Sequence, residues 1–244
     1  MKLEEIKVGV LCGGKGVRLK PLTSLIPKAL VLLRDKPIVQ HSLDLYSKQG
    51  LKDFILCIGY KGEIIEEYFN SVEDKPYNIS YSKSGEDAGM LKRIYDLKDN
   101  FDGNIIITYG DTINNINFQD LLKFHENNKS QATIVSREVE NPFGLLDIQK
   151  NKVRKFEEKP VFTYYIGTMV LNKEVFDYMD KELLDKKDGS GIILFFKKLM
   201  DLGLLHAYTH KGKELTFNTR AQMLDAEENI IDYYNLSEKD GLGK

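Results

Sequence analysis

The chain has no tryptophan and only two cysteines and four histidines in 244 residues, which removes several chemistries at once. Cys12 and Cys57 show no C-x-x-C spacing and no histidine at ligand spacing. They read as small core residues rather than a disulfide framework or a zinc cage. His206 and His210 stand four apart, which would suit a zinc pair on a helix. Leu204 to Thr209 reads as a strand, however, and no third ligand accompanies them. No Ser-His-Asp or Cys-His arrangement stands out. Charge of one sign is also lacking: 35 basic against 37 acidic residues give a net −2, so there is no basic footprint for nucleic acid. No apolar run reaches the length of a membrane span, and Met1 to Glu5 carries no signal-peptide core. A cytoplasmic protein without a membrane partner is the expectation. Internal repeats, low-complexity tracts and linkers are missing too, so the chain is expected to form one domain over 1–236 with a polar, frayed tail over 237–244.

What is there is alternation. Residues 7–11, 53–58, 78–81 and 104–108 read as buried strands, and 36–49, 61–70 and 88–97 as the helices between them. Such a pattern calls for right-handed βαβ crossovers and an α/β fold whose mostly parallel central sheet is flanked by helices. Ligands of these sheets bind beyond the carboxyl ends of the strands. The turns at Gly13, at Gly59-Tyr60 and at Gly110-Asp111 all lie at such ends and should converge. The second half changes character, with strands expected at 132–137, 144–149, 153–156 and 164–171 and a hairpin tip at Asn151-Lys152. Helices resume at 173–179, 191–202 and 220–234.

The stretch around which the rest is arranged is Leu11 to Lys28, L-C-G-G-K-G-V-R-L-K-P-L-T-S-L-I-P-K. Gly13, Gly14 and Gly16 let the backbone turn tightly and bring bare N–H groups close to a ligand. Arg18 and Lys28 add two cations, and Pro21 and Pro27 stiffen the path between them. Backbone donors with flanking cations are what a triphosphate requires. No Gly-Lys here is followed by Ser or Thr, which excludes a P-loop. Leu19 stands where the third glycine of a dinucleotide fingerprint would be, and no acidic ribose reader follows a second strand. A dehydrogenase is therefore disfavoured.

The stretch resembles the signature of the sugar-phosphate nucleotidyltransferases, G-G-x-G-x-R-L-x-P-L-T followed by P-K. Every fixed position is present: Gly13, Gly14, Gly16, Arg18, Leu19, Pro21, Leu22, Thr23, Pro27 and Lys28. The resemblance implies a Rossmann-like, GT-A-like fold with a mixed, mostly parallel sheet and a small β-rich acceptor subregion. A nucleotide-binding half would cover 1–111 and an acceptor-binding half 112–236. It implies an enzyme that joins a nucleoside triphosphate to a phosphorylated small molecule and releases pyrophosphate. The glycine loop with Leu11 would bind the nucleotide, Arg18 would meet the leaving pyrophosphate and Lys28 the α-phosphate. Gly110-Asp111 matches the family's Gly-Asp, whose carboxylate holds Mg²⁺. A strand-end aspartate beside a triphosphate loop suits that ion. Asn218, in the run Asn218 to Gln222, is similar to the asparagine ligand of the N-acetylglucosamine-1-phosphate uridylyltransferases. The alternative is that it caps the final helix. Glu158-Lys159-Pro160 after Phe143-Gly144 matches the family's acceptor motif, with Lys159 facing the acceptor phosphate and Glu158 its hydroxyls.

Residues 82–93 occupy the place of the base-reading loop. Within it, Asp87-Ala88-Gly89-Met90-Leu91-Lys92-Arg93 is similar to the T-G-G-R-x-K-R of glucose-1-phosphate cytidylyltransferases, with Asp87-Ala88 for Thr-Gly and Met90 for Arg. CTP is thus the expected donor, with UTP, dTTP or GTP as alternatives, and the product a CDP-activated precursor for surface polysaccharide. For the acceptor, Tyr164-Tyr165-Ile166-Gly167 puts Tyr165 where sugar-specific members have an asparagine. A sugar 1-phosphate and a non-sugar such as phosphocholine or phosphoglutamine both stay open. Family members commonly form dimers or tetramers. A domain that senses a nucleotide without turning it over is the competing class, and it would be expected to lack Arg18, Lys28 or Asp111.

Overall fold

The computed structural model describes residues 2–239. Its centre is a seven-stranded sheet in the order β12-β8-β11-β6-β1-β4-β5. These strands are β1 (Lys7–Leu11), β4 (Asp53–Ile58), β5 (Asn78–Lys83), β6 (Asn104–Tyr109), β8 (Ala132–Glu140), β11 (Val161–Asn172) and β12 (Leu205–His210). Two-residue strands β2 (Leu32–Leu33) and β3 (Lys36–Pro37), and the short pair β7 (Thr112–Asn114) with β13 (Glu214–Thr216), lie outside it. So does the hairpin of β9 (Leu145–Gln149) and β10 (Lys152–Glu157). Strands β6, β1, β4 and β5 run parallel, as do β8 and β12. Only β11 is antiparallel to both its neighbours, which makes the sheet mixed and mostly parallel.

Alternation of side chains feeds two cores. Val8 and Val10 of β1, Phe54, Leu56 and Ile58 of β4 and Ile106 of β6 point to one face, where α1 (Ile38–Lys48), α2 (Gly62–Ser71) and α4 (Phe118–Asn127) cover them. Ile55, Cys57, Ile105 and Ile107 point to the other, against α3 (Met90–Tyr95) and α6 (Ser190–Asp201). Each fully buried Leu, Ile or Phe contributes about 2 kcal/mol by removal from water. Gly9 faces the second core because a Cβ there would lie 2.5 Å from Leu97 Cδ1 and 2.8 Å from Ile107 Cδ1.

Several boundaries differ from the sequence-based expectation. The span 173–179 forms a 3-10 helix, Lys173–Tyr178, rather than an α-helix. The hairpin tip is Lys150-Asn151, one residue earlier than expected, and both residues have positive φ (48° and 63°), as a type I′ turn requires. Helix α4 has no counterpart in the expected list; the Asn117 side chain caps it by accepting from Asp120 N. A four-residue helix, α5 (Lys181–Leu184), precedes α6. The last helix, α7, runs Arg220–Lys239, beyond the expected 220–234, and 240–244 of the expected tail lie outside the described residues.

Candidate active site

The carboxyl ends of β1, β4 and β6 converge as the alternation requires. Cys12 N donates to Cys57 O (3.0 Å), Tyr60 N to Gly13 O (3.2 Å) and Gly110 N to Leu11 O (3.1 Å). Above them opens a cleft of about 630 Å³, which Leu11, Gly13, Gly14, Gly16, Arg18, Lys28, Asp87, Ala88, Gly110, Asp111 and Asn218 line together. Every expected nucleotide residue except Gly89, and both expected metal ligands, therefore line this one cleft. Gly16 takes φ 58°, and its carbonyl accepts from Thr23 Oγ1 at 2.8 Å, so the signature threonine fixes the loop. Gly14 opens onto empty space, with no atom within 4 Å of a Cβ built there.

Lys28 stands on the short 3-10 turn Lys28–Leu30 that follows Pro27. Its Nζ donates to Asp111 Oδ2 at 2.7 Å and to Asn218 Oδ1 at 3.2 Å, and it lies 5.5 Å from the centre of the Phe217 ring. Asn218 reaches Asp111 through strand pairing: β13 runs antiparallel to β7, with Thr216 opposite Thr112, and Thr216 Oγ1 donates to Asp111 O. The capping alternative for Asn218 is not what forms. Thr219 Oγ1 accepts from Gln222 N (3.3 Å) at the start of α7, while Gln222 Oε1 accepts from Asn218 N (2.9 Å), which leaves the Asn218 amide turned to Lys28.

Two side-chain oxygens from turns far apart in sequence thus already converge on one cation, the ammonium. An Asp carboxylate with an amide oxygen suits Mg²⁺, which takes one or two protein oxygens and completes its shell with phosphate and water. Among the described residues no group of three or more His, Cys, Asp or Glu side chains forms a cage that would hold a metal by itself. His210 is instead buried, with Nε2 at 3.2 Å from Asn115 Oδ1. Cys12 also lines the cleft, but burial pushes its thiol well above the ordinary range, so it is no nucleophile at neutral pH.

The residues expected to bind the acceptor lie outside this lining. Gly144, Glu158, Lys159, Tyr165 and Gly167 are not among those lining the cleft. Glu158 and Lys159 are exposed between β10 and β11, Lys159 with φ 45°. Gly144 is exposed beside the hairpin, where a Cβ would stand 2.8 Å from the Phe156 ring and 3.3 Å from Glu158 Oε2. Tyr165 packs edge-on against Tyr109 (6.2 Å between centroids) and Phe196 (5.5 Å), and of these three only Tyr109 lines the cleft. Gly167, with φ 80°, sits at the register shift of β11, and its missing Cβ leaves room for the Tyr109 ring. Gly89 likewise lies outside the lining. It is glycine because a Cβ would fall 2.2 Å from Lys186 O, where the loop before α6 docks through Met90 N to Asp188 O (2.9 Å).

Several contributors to the cleft are absent from the expected set. Lys15 pairs with Glu86 and Asp87 (3.2 Å each), linking the glycine loop to the 85–88 segment. Lys187 and Asp188 come from the second half of the chain and line the cleft beside Ala88 and Met90. Arg93, 3% exposed, donates to Ile58 O (2.7 Å), Gly85 O (2.8 Å), Glu86 O (3.2 Å) and Gly13 O (3.4 Å). The motif run ending in Lys92-Arg93 was the one sequence signal for it.

Comparison with known proteins shows the family. The Nucleotidyl transferase family profile matches residues 7–213. A Bacillus subtilis protein named as a probable glucose-1-phosphate cytidylyltransferase is 31% identical, over 91% of this chain and 95% of its own. The glucose-1-phosphate cytidylyltransferase of Salmonella typhi is 34% identical, over 85% and 89%. Relatives named as mannose-1-phosphate guanyltransferase and as UTP–glucose-1-phosphate uridylyltransferase also match. Among solved structures, HddC from Yersinia pseudotuberculosis complexed with GMP-PN superposes with a TM-score of 0.70 at 22% identity, over 92% of this chain and 99% of that one, which shows the shared fold.

Proposed function

Since the chain belongs to the nucleotidyl transferase family, we propose that it is a cytidylyltransferase. It transfers CMP from CTP to a phosphorylated small molecule and releases pyrophosphate. The observation that carries the reading is the convergence of Lys28, Asp111 and Asn218 beside the glycine loop on one cleft wall. CTP is favoured over other nucleotides by the run Asp87 to Arg93 and by the names of the Bacillus subtilis and Salmonella typhi relatives. A sugar 1-phosphate is the acceptor those names support. Tyr165, half-buried against the Tyr109 and Phe196 rings where sugar-specific members carry asparagine, favours a non-sugar phosphate as the second reading.

The reaction is an in-line displacement. A phosphate oxygen of the acceptor attacks the α-phosphorus of CTP, the new O–P bond forms, and the bond to the β-phosphate oxygen breaks with its electrons leaving on pyrophosphate. The attacking oxygen is already anionic, so the chain supplies no general base and forms no covalent intermediate. Its residues position two anions and neutralise them. The glycine-loop N–H groups hold the phosphates, Lys28 faces the α-phosphate, Arg18 the departing pyrophosphate and Lys159 the acceptor phosphate. Asp111 and Asn218 would hold Mg²⁺, which supplies charge neutralisation to the phosphate oxygens when bound. Pyrophosphate release with CTP and a phosphorylated acceptor tests the proposal. Binding of CTP without turnover on any acceptor would favour the sensing domain instead.

A further inference from the structure

Arg93 carries a charge in the interior with four carbonyls and no carboxylate as its hydrogen-bond partners. Those carbonyls belong to three separate segments: the end of β4 (Ile58), the glycine loop (Gly13) and the 85–88 segment at the base end of the cleft (Gly85, Glu86). A planar guanidinium can bridge such a set because its five N–H donors fork in one plane, and an ammonium cannot reproduce that geometry. Two glycines are shaped around the same group. A Cβ at Gly13 would lie 2.3 Å from Arg93 Cζ, and one at Gly59 would lie 2.4 Å from Arg93 Nη2. Gly13 and Gly59 both have negative φ, so the conformational freedom of glycine is not what selects them. The guanidinium takes the space a side chain would need.

We infer that Arg93 is a positioning residue for the nucleotide, a guanidinium wedge between Gly13 and Gly59 that sets the spacing of the phosphate-binding loop and the base-reading segment. Deep placement of a charge is costly unless every donor is satisfied, and here the bonds that satisfy it are the bonds that hold the two loops. Arg93 acts through those loops: its donors are occupied by main-chain carbonyls, not pointed at a ligand. The inference rests on the nucleotidyltransferase reading and deepens it.

The test is calorimetric CTP and UTP binding, with Mg²⁺, to the full chain and to the variants Gly59→Ala, Arg93→Lys, Arg93→Ala and Gly59→Ala/Arg93→Ala, with thermal unfolding measured alongside. Gly59→Ala keeps the arginine and only displaces it, so it remains informative if Arg93→Ala does not fold. The inference expects Gly59→Ala and Arg93→Lys to weaken CTP binding about tenfold or more, the order of one lost hydrogen bond to a charged group. It also expects the CTP-to-UTP ratio to shift. In the Arg93→Ala background the Gly59→Ala change should cost nothing further, since the clash has gone. Millimolar guanidinium ion should restore binding to Arg93→Ala, and methylammonium should not. Wild-type affinity and selectivity in Gly59→Ala and Arg93→Lys, with only the unfolding temperature lowered, would overturn the inference and leave Arg93 a structural residue. Absence of any nucleotide binding by the unsubstituted chain would overturn the transferase reading itself.

Discussion

The ammonium of Lys28 and the carboxylate of Asp111, 83 positions apart in sequence, meet at 2.7 Å on the wall of the cleft, with their side chains 11% and 32% exposed. One is the cation proposed for the α-phosphate and the other the carboxylate proposed for the metal, so the two halves of the charge-neutralising machinery are already in contact.

Replacing Lys28 should therefore reduce turnover with little change in fold. Lys28→Ala is expected to lower kcat by on the order of 10²-fold, the size of a single lost transition-state donor. Steady-state pyrophosphate release measures it, with circular dichroism to show that the fold is kept. Near-normal turnover would remove Lys28 from the mechanism.

On the proposed reading Asn218 would offer Mg²⁺ a neutral amide oxygen beside the Asp111 carboxylate, so the metal requirement should respond to its charge. Asn218→Ala is expected to raise the Mg²⁺ concentration for half-maximal activity several-fold, and Asn218→Asp to lower it by adding a negative charge. Mn²⁺ binding followed by electron paramagnetic resonance gives the same order without turnover. Identical metal dependence in all three proteins would show that the amide is not a ligand.

The glycine signature and the strand–helix alternation made the cleft legible from sequence because each element there is local: Gly13 to Gly16, Lys28, and Asp111 at the end of an apolar strand. What was not legible depends on contacts between distant segments. Arg93 reads as the last residue of the base-loop motif, and its insertion between Gly13 and Gly59 shows only in the fold. Gly89 reads as a ligand-facing glycine, but its constraint is the Lys186 carbonyl nearly a hundred residues away. Lys187 and Asp188 sit in a loop with no motif, and they line the cleft because the second half of the chain folds back over the first. Helix α4 was missed although its capping asparagine and its Leu121-Leu122 pair are both local signals.

Stability should fall on mild acidification. His125 is buried, with Nδ1 2.8 Å from Thr133 Oγ1, and burial lowers its pKa from 6.5 to about 4. Between those values the unfolded chain takes up a proton that the folded chain refuses. The stability associated with neutral His125 is thus complete above about pH 6.5 and declines as pH falls to about 4. The loss is on the order of 3 kcal/mol across that window. Burial lowers His41 and His210 in the same direction. Urea unfolding at pH 7 and pH 5 should show a smaller difference in His125→Gln than in the unsubstituted protein. An equal difference would exclude His125 as a contributor.

Tyr165 offers a check on the acceptor end. Tyr165→Asn restores the residue type of sugar-specific relatives, but it also removes a ring packed between Tyr109 and Phe196. A loss of about 2–4 kcal/mol in stability is expected from the cavity and the buried amide, with no gain in sugar 1-phosphate turnover. Unchanged thermal unfolding together with new activity on a hexose 1-phosphate would show that Tyr165 is the acceptor determinant.

The central claim is that the cleft turns CTP over. The direct measurement is pyrophosphate release in the presence of Mg²⁺, comparing CTP, UTP, dTTP, GTP and ATP, each against hexose 1-phosphates, phosphocholine, phosphoethanolamine and phosphoglutamine. The account predicts release with CTP and one acceptor, abolished in Asp111→Ala. Release that prefers another nucleotide would contradict the CTP assignment, and silence with every pair while CTP still binds would contradict the enzyme.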